Sequence, residues 1–302
     1  MCKSPNALLI VSGLRIINAN SISGPLTWGF PAPTAFTGFI HALSRRLGDK
    51  TVLDGTGIVC HSFEPQVNGG KYENRFNLTR NPVYDRDVTK PSGIVEEGRT
   101  HLTVTVLAGI YGEEPSAEEI TQLIGSMRIA GGSIVHQQKQ KVEIVTLSQY
   151  AEDDEKIFRK LRRKLVPGFA LIDRTELMLE RMSEMKSENP AVSLLDVLLD
   201  LTALKHASVL DENGKAVWTT YREKNGWIVP LPVGYAGISP LYEAGEVRNT
   251  RDQDTPFRFT ETAYSAGEWR NPLKINNIEE FLWFHKAEPD KGVYLCGHKK
   301  LY

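Results

Sequence analysis

The sequence predicts an α+β protein whose first half is a ferredoxin-like core, and three observations lead there. Apolar residues recur at strand and helix spacing in the order β-α-β-β-α-β between residues 7 and 147, which is the ferredoxin-like arrangement. Helix start signals, Thr34 and Ser116, precede the two helical stretches. The interval from Glu64 to Gly98 is too long for a hairpin turn, so a projecting insertion is expected between the second and third strands.

Each element has its own justification. Ala7 to Ile17 is rich in Leu, Ile and Val and is broken at Gly13, which predicts a buried strand with a bulge. After a loop with Gly24, Pro25, Gly29, Pro31 and Pro33, the apolar positions Phe36, Phe39, Ile40, Leu43 and Leu47 predict a helix capped by Thr34 and stopped by Gly48. Gly55 to Phe63 and His101 to Ile110 read as strands. Ser116 with Glu119 forms a capping-box pattern ahead of Ile120, Leu123, Ile124 and Met127. Lys141 to Leu147 alternates as a further strand. The insertion carries Gly69-Gly70, Asn81-Pro82 and Pro91 and is expected to be a β-hairpin or a partly ordered loop.

Beyond residue 150 the pattern changes. Glu152 to Leu165 predicts a charged helix with six basic residues between Lys156 and Lys164. Asp173 with Glu176 starts a second helix, and Ser193 with Asp196 a third. Short β-like runs follow at 216–221, 227–231 and 257–260, and a last short helix is expected at 278–285. The expected organisation is therefore a core with its insertion over 1–150, a helical region over 151–210 and a β-rich region over 211–302 that packs on the core.

Composition narrows the function classes. Thirty-six basic and 37 acidic residues give a net charge of −1, so any grip on nucleic acid must come from local clusters. Three cysteines, Cys2, Cys60 and Cys296, are odd in number and far apart, which suits a reducing cytoplasm. No stretch approaches the ~18–20 apolar residues of a membrane span, and the N-terminus lacks the pattern of an export signal.

Catalytic and cofactor signatures are weak. Cys60-His61 and Cys296 with His298 lack the C-x₂-C spacing of a structural zinc site, so no metal is expected. Gly55 and Gly57 begin a G-x-G without its third glycine, no P-loop or G-x-S-x-G occurs, and no cofactor is expected. His41 lies on the first helix, where it could serve as a general acid or base, but it neighbours core-facing Ile40 and also reads as a helix-flank histidine. The other histidines give no paired arrangement in the sequence.

Single-stranded RNA binding is better supported. It needs aromatic or guanidinium planes for stacking, and permissive backbone close to phosphates. Such combinations occur at Trp28-Gly-Phe30-Pro31, Phe76 to Asn81, Arg128 to Ser133, and Arg248-Asn249-Thr-Arg251 leading to Arg258. No RNP1-like string occurs, which excludes an ordinary RRM face. Core packing remains an equal reading of Trp28 and Phe30. Arg99 reads equally as a structural ion-pair partner of Glu96 or Glu97.

Several strings carry a family resemblance. Asn18 to Pro31 (NANSISGPLTWGFP), Ala35 to Leu43, Gly57-Ile-Val-Cys-His61, Phe76 to Pro82, Ile94 to Arg99, Met127 to Ile134, Leu165 to Leu171, Gly245 to Asn249, Gly267-Glu-Trp269 and His285 to Gly292 together resemble the second Csy subunit of type I-F CRISPR surveillance (Cascade) complexes. That family is the handle-binding member of the RAMP superfamily. Residues 186–224 are the least similar.

The resemblance implies a non-catalytic antiviral-defence subunit with an RRM-like RAMP core. It implies that the subunit holds the 5′ handle of the crRNA, pairs with the large subunit as a heterodimer and meets the backbone subunits. Target DNA would be met only through the assembled complex, and no membrane is involved. The insertion is the expected thumb. Expected RNA contacts are Arg80, Arg128, Arg248, Asn249, Arg251 and Arg258, with Trp28 or Phe30 as a pocket wall. A histidine-dependent endoribonuclease of the same superfamily, or a pure protein–protein adaptor, are the alternatives.

Overall fold

The computed structural model describes residues 5–69, 74–80, 89–136, 140–147, 151–222, 224–250 and 252–298. The first half holds β1 (Ala7–Asn20), β2 (Ile22–Gly24), β3 (Thr27–Trp28), α1 (Pro33–Leu47), β4 (Thr51–Pro65), β5 (Val67–Gly69), β6 (Asn74–Thr79), β7 (Val95–Glu97) and β8 (Arg99–Gly112). There follow α2 (Ala117–Gly125), β9 (Arg128–Ile129), β10 (Gly132–Val135), β11 (Lys141–Thr146), α3 (Ala151–Lys164) and β12 (Phe169–Asp173). The chain continues through α4 (Thr175–Glu188), α5 (Leu194–Thr202), β13 (Lys205–Leu210), β14 (Ala216–Tyr221), β15 (Trp227–Gly237), β16 (Thr260–Arg270), β17 (Leu282–Glu288) and β18 (Val293–Gly297). The protein is α+β, with one large antiparallel sheet and, among the described residues, five α-helices.

The large sheet runs β12-β16-β15-β18-β17-β4-β8-β1-β10-β9, with β11 also on β1. β1 shows why the residues specify it. Ala7, Leu9 and Val11 share a buried cluster with Phe36, Ile40 and Leu43 of α1 and Ile120 and Ile124 of α2. Leu8 and Ile10 lie on the opposite face, clustered with Phe158, Leu161 and Leu165 beside α3. Gly13 adopts φ 69° where the register with β8 shifts between Val11 and Leu14. The inserted residue resets the two-residue period, so Leu14 and Ile16 return to the α1–α2 cluster.

The helix starts differ from expectation by small, explicable amounts. α1 begins at Pro33, with Ala32 rather than Thr34 at the N-cap; proline's fixed φ suits the first helical position. Ser116 caps α2 by accepting from the Glu119 backbone N–H. Arg174, not Asp173, occupies the α4 N-cap, while Asp173 Oδ1 accepts from the Thr175 N–H at 2.8 Å. The full capping box of Ser193 and Asp196 opens α5.

Three elements depart further. β12 interrupts the expected helical region and pairs with β16 and β4. The expected strand at 257–260 is displaced to Thr260–Arg270. The expected helix at 278–285 is a single 3-10 turn, Glu279–Phe281, followed by β17. There the Trp283 indole is buried and donates to Leu171 O at 2.8 Å, which fixes the segment as sheet.

Candidate nucleic-acid interface

The described part of the insertion is a small antiparallel sheet in which β6 lies between β5 and β7. It stands beside the hairpin β9–β10, which the sequence reading did not separate from α2. Ala130 and Gly131 form its two-residue turn at φ 51° and 73°, as a type I′ turn requires. The hairpin is pressed against β1. A Cβ on Gly132 would lie 2.7 Å from Ile16 Cγ2 and 2.8 Å from Ala19 Cα, and Asn20 N–H donates to Ala130 O at 2.8 Å.

Between these two sheets lies a polar cleft of about 430 Å³, lined by Asn18, Gln66, Asn77, Thr79, Glu97, Arg99, Arg128, Gly131 and Ser133. Its walls are hydrogen-bonded in place. Gln66 Nε2 donates to Asn18 Oδ1 at 2.8 Å, and Asn18 N–H donates to His101 Nδ1 at 3.2 Å. The latter bond holds His101 Nδ1 as an acceptor. Thr79 Oγ1 donates to Glu97 Oε2 at 2.9 Å. Arg99 pairs with Glu97 and donates from Nη1 to Asn18 O at 3.2 Å. Glu97 is thus the partner of Arg99, and Glu96 instead accepts from Phe76 N–H.

Arg128 is the cleft's available cation. It is exposed, donates from Nη1 to Gly131 O at 3.3 Å, and faces no carboxylate at ion-pair distance among the described residues. Close to Gln66 along β4, Glu64 is held by Arg15 through two hydrogen bonds of 2.9 and 3.0 Å. That guanidinium holds the Glu64 carboxyl below its usual range.

A second groove, of about 340 Å³, is lined in part by β3. Leu26, Trp28, Phe30, Pro230, Pro232 and Trp269 form its apolar wall. Trp28 is 55% exposed. Phe30 is half-buried, stacks on Phe36 at 5.4 Å and meets Trp269 edge-on at 4.9 Å. Phe30 therefore both packs on the core and walls the groove, whereas Trp28 presents its indole outward. The Thr27 hydroxyl, in the same groove, is buried without a hydrogen-bond partner among the described residues.

The remaining expected contacts are dispersed. Arg80 is exposed immediately after Thr79 of the cleft. Arg248 and Asn249 are exposed on the segment between β15 and β16, Asn249 at φ 61°. Arg258 is half-buried against Gly292, whose added Cβ would meet its Nη1 at 2.1 Å, and it donates to Pro289 O at 3.2 Å. Arg251 lies outside the described residues. Asn77 and Ser133 lie within two of the strings singled out for RNA binding, whereas Gln66 is not singled out and Asn18 stands only in a family-like string, because polar residues far apart in the chain carry no local signal. Sequence reasoning also found no paired histidines, yet the fold brings His41 to His285 with ring centroids 5.3 Å apart. Among the described residues no three His, Cys, Asp or Glu side chains are grouped to hold a metal ion. No described helix is long and apolar enough to cross a membrane.

With this geometry in view, relatives define the class. Residues 9–296 match the family described as CRISPR-associated protein (Cas_Csy2). The "CRISPR-associated protein Csy2" of Pseudomonas aeruginosa (strain UCBPP-PA14) is 44% identical over 312 residues, covering 96% of this chain and 94% of that relative. The chain belongs to the Csy2 family, the second Csy subunit of type I-F CRISPR complexes.

Proposed function

We propose that this chain is a non-catalytic guide-RNA-binding subunit that holds the 5′ handle of the crRNA and pairs with the large Csy subunit. The carrying observation is the polar cleft in which the exposed Arg128 guanidinium stands beside the type I′ turn and faces the insertion sheet. A guanidinium, amide side chains and a closely approachable backbone suit phosphates and base edges of an unpaired strand. The aromatic groove adds an exposed indole, which suits stacking of a splayed base.

Within this reading residues 1–150 form a ferredoxin-like RAMP core, supported by the order β11-β1-β8-β4 and by the shared α1–α2 cluster. The insertion acts as the thumb, residues 151–210 as a helical region, and 211–302 as a β-rich region packed on the core. Arg80, Arg248, Asn249 and Arg251 supply further RNA contacts. The backbone subunits of the complex are neighbours, target DNA is met only through the assembly, and the site of action is the cytoplasm.

The test is co-purification of the chain with its large-subunit neighbour, followed by sequencing of the bound nucleic acid. Intact RNAs sharing one 5′ handle are expected; a stable heterodimer free of RNA would favour a protein adaptor instead. The His41–His285 pair is the one observation that favours an endoribonuclease. Cleavage of repeat RNA by the chain, abolished in His41→Ala, would establish that reading; uncut RNA is expected.

A further inference from the structure

Two features of α3 are used by neither groove. Lys156, Arg159, Lys160, Arg163 and Lys164 are exposed at spacing i, i+3, i+4, i+7 and i+8, which places them in one stripe about 12 Å long. Lys164 pairs with Glu143. Arg159, Lys160 and Arg163 face no carboxylate at ion-pair distance among the described residues. The sixth basic residue of the run, Arg162, turns inward, donating to Ile275 O at 2.6 Å and lying over the Phe158 ring at 5.1 Å. Next to the stripe, Leu8 and Ile10 of β1, Val145 of β11, and Ile157 and Leu161 of α3 line a pocket of about 250 Å³, with Lys160 and Lys164 completing its wall.

We propose that this pocket docks an acidic segment of a partner protein, which inserts a large apolar side chain between α3 and β1 and sets its carboxylates against the cationic stripe. The charge selects an anionic partner, and the wall selects its chemistry. The lining is aliphatic, with no aromatic plane on which a base could stack, so a nucleic acid would use the stripe and leave the pocket unfilled. A membrane surface would need large apolar side chains exposed beside the cations, and none of those on the described surface belongs to α3. An apolar anchor in a desolvated pocket ringed by charge is the arrangement that concentrates energy in protein–protein contacts. The proposal does not rest on the RNA reading, since it uses different residues on a different element.

The test uses the full chain and a fluorescein-labelled twelve-residue peptide in which Leu and Phe alternate with Glu and Asp. Controls are the same peptide with Leu and Phe replaced by Ala, a uridine dodecamer, and phosphatidylserine–phosphatidylcholine vesicles. Saturable binding is expected, about tenfold or more tighter than that of the Ala control and weakening with added salt. Ile157→Glu and Lys160→Glu should each weaken it about tenfold. Should Ile157→Glu not fold, the exposed Lys160→Glu carries the result. Equal binding of peptide and Ala control, absence of saturable binding, or tighter binding of the oligonucleotide or vesicles through the same residues overturns the proposal. Handle-RNA affinity should be unchanged in Lys160→Glu, so failure here is separable from failure of the RNA reading.

Discussion

The indole of Trp28 meets the ring of Phe76 edge-on, with centroids 5.2 Å apart and planes at 89°. The contact joins β3, which lines the aromatic groove, to the insertion sheet. Such a pair adds about 0.5–1.5 kcal/mol beyond area burial, so the insertion biases the exposed indole toward this orientation.

Trp28→Ala removes both that contact and a stacking plane. Loss of one stacked base costs about 1–3 kcal/mol, so handle-RNA affinity measured by fluorescence anisotropy should fall accordingly. Phe76→Ala keeps the indole and should cost less. Wild-type affinity in Trp28→Ala would remove the groove from the RNA path.

Arg128→Ala should lower affinity and reduce the slope of log K against log salt by about 0.7, the value for one phosphate contact on a single strand. Arg258→Ala should behave oppositely. Its guanidinium packs on Gly292 and Pro289, so urea midpoints should drop while the salt slope stays constant. A change of slope in Arg258→Ala and none in Arg128→Ala would reverse the two roles.

These two arginines show what was legible in the sequence. Both sit in glycine-rich or aromatic surroundings, and nothing local separates a cation at a cleft from one pinned under a turn; only the placement of Gly292, 34 positions away, does. The bulge at Gly13 and the box at Ser193 were readable because each is a local device with a local signature. β16 was misplaced because its buried stretch is Ser265, Ala266, Gly267 and Glu268. Small residues are required there, since a Cβ on Gly267 would lie 2.2 Å from Leu231 Cδ1, and they leave no apolar run to detect. At 278–285 the apolar residues Phe281 to Phe284 are consecutive, and so short a continuous run does not separate a period of 2 from one of 3.6.

Gly132→Ala tests the seating of the β9–β10 hairpin. The new methyl would stand within 2.8 Å of the Ala19 backbone, and such overpacking costs about 1–3 kcal/mol. A lower urea midpoint and weaker RNA binding should appear together, because Arg128 rides on this hairpin. An unchanged midpoint would mean that β1 and the hairpin yield freely.

The pH dependence has a defined sign. Burial pushes the Cys60 thiol from 9.0 up to about 12 and, chiefly, the Tyr294 phenol from 10.0 up to about 12; it raises Cys296 as well. Each raised acid is held neutral in the fold, so its contribution is complete below the ordinary value and is lost as pH rises toward 12. Unfolding midpoints should therefore fall between pH 9 and 12, and iodoacetamide should label Cys60 slowly at pH 8. Rapid labelling at Cys60 in native protein at pH 8, located by peptide mass spectrometry, would contradict the burial.

The position of β4 in the sheet has a consequence for synthesis. One edge of β4 is occupied by β8, which follows within about 50 residues, while the other is shared by β12, about 100 residues later, and β17, more than 200 residues later. As the chain leaves the ribosome, β1, β4 and β8 can assemble early, but the later partners of β4 have not yet been made. During that interval an apolar strand carries an open hydrogen-bonding edge, the condition under which nascent chains pair wrongly or recruit chaperones. Native pairing across such a separation is slow, and the Thr56–Gly57 stretch of β4 has no partner on this edge until β17 is available.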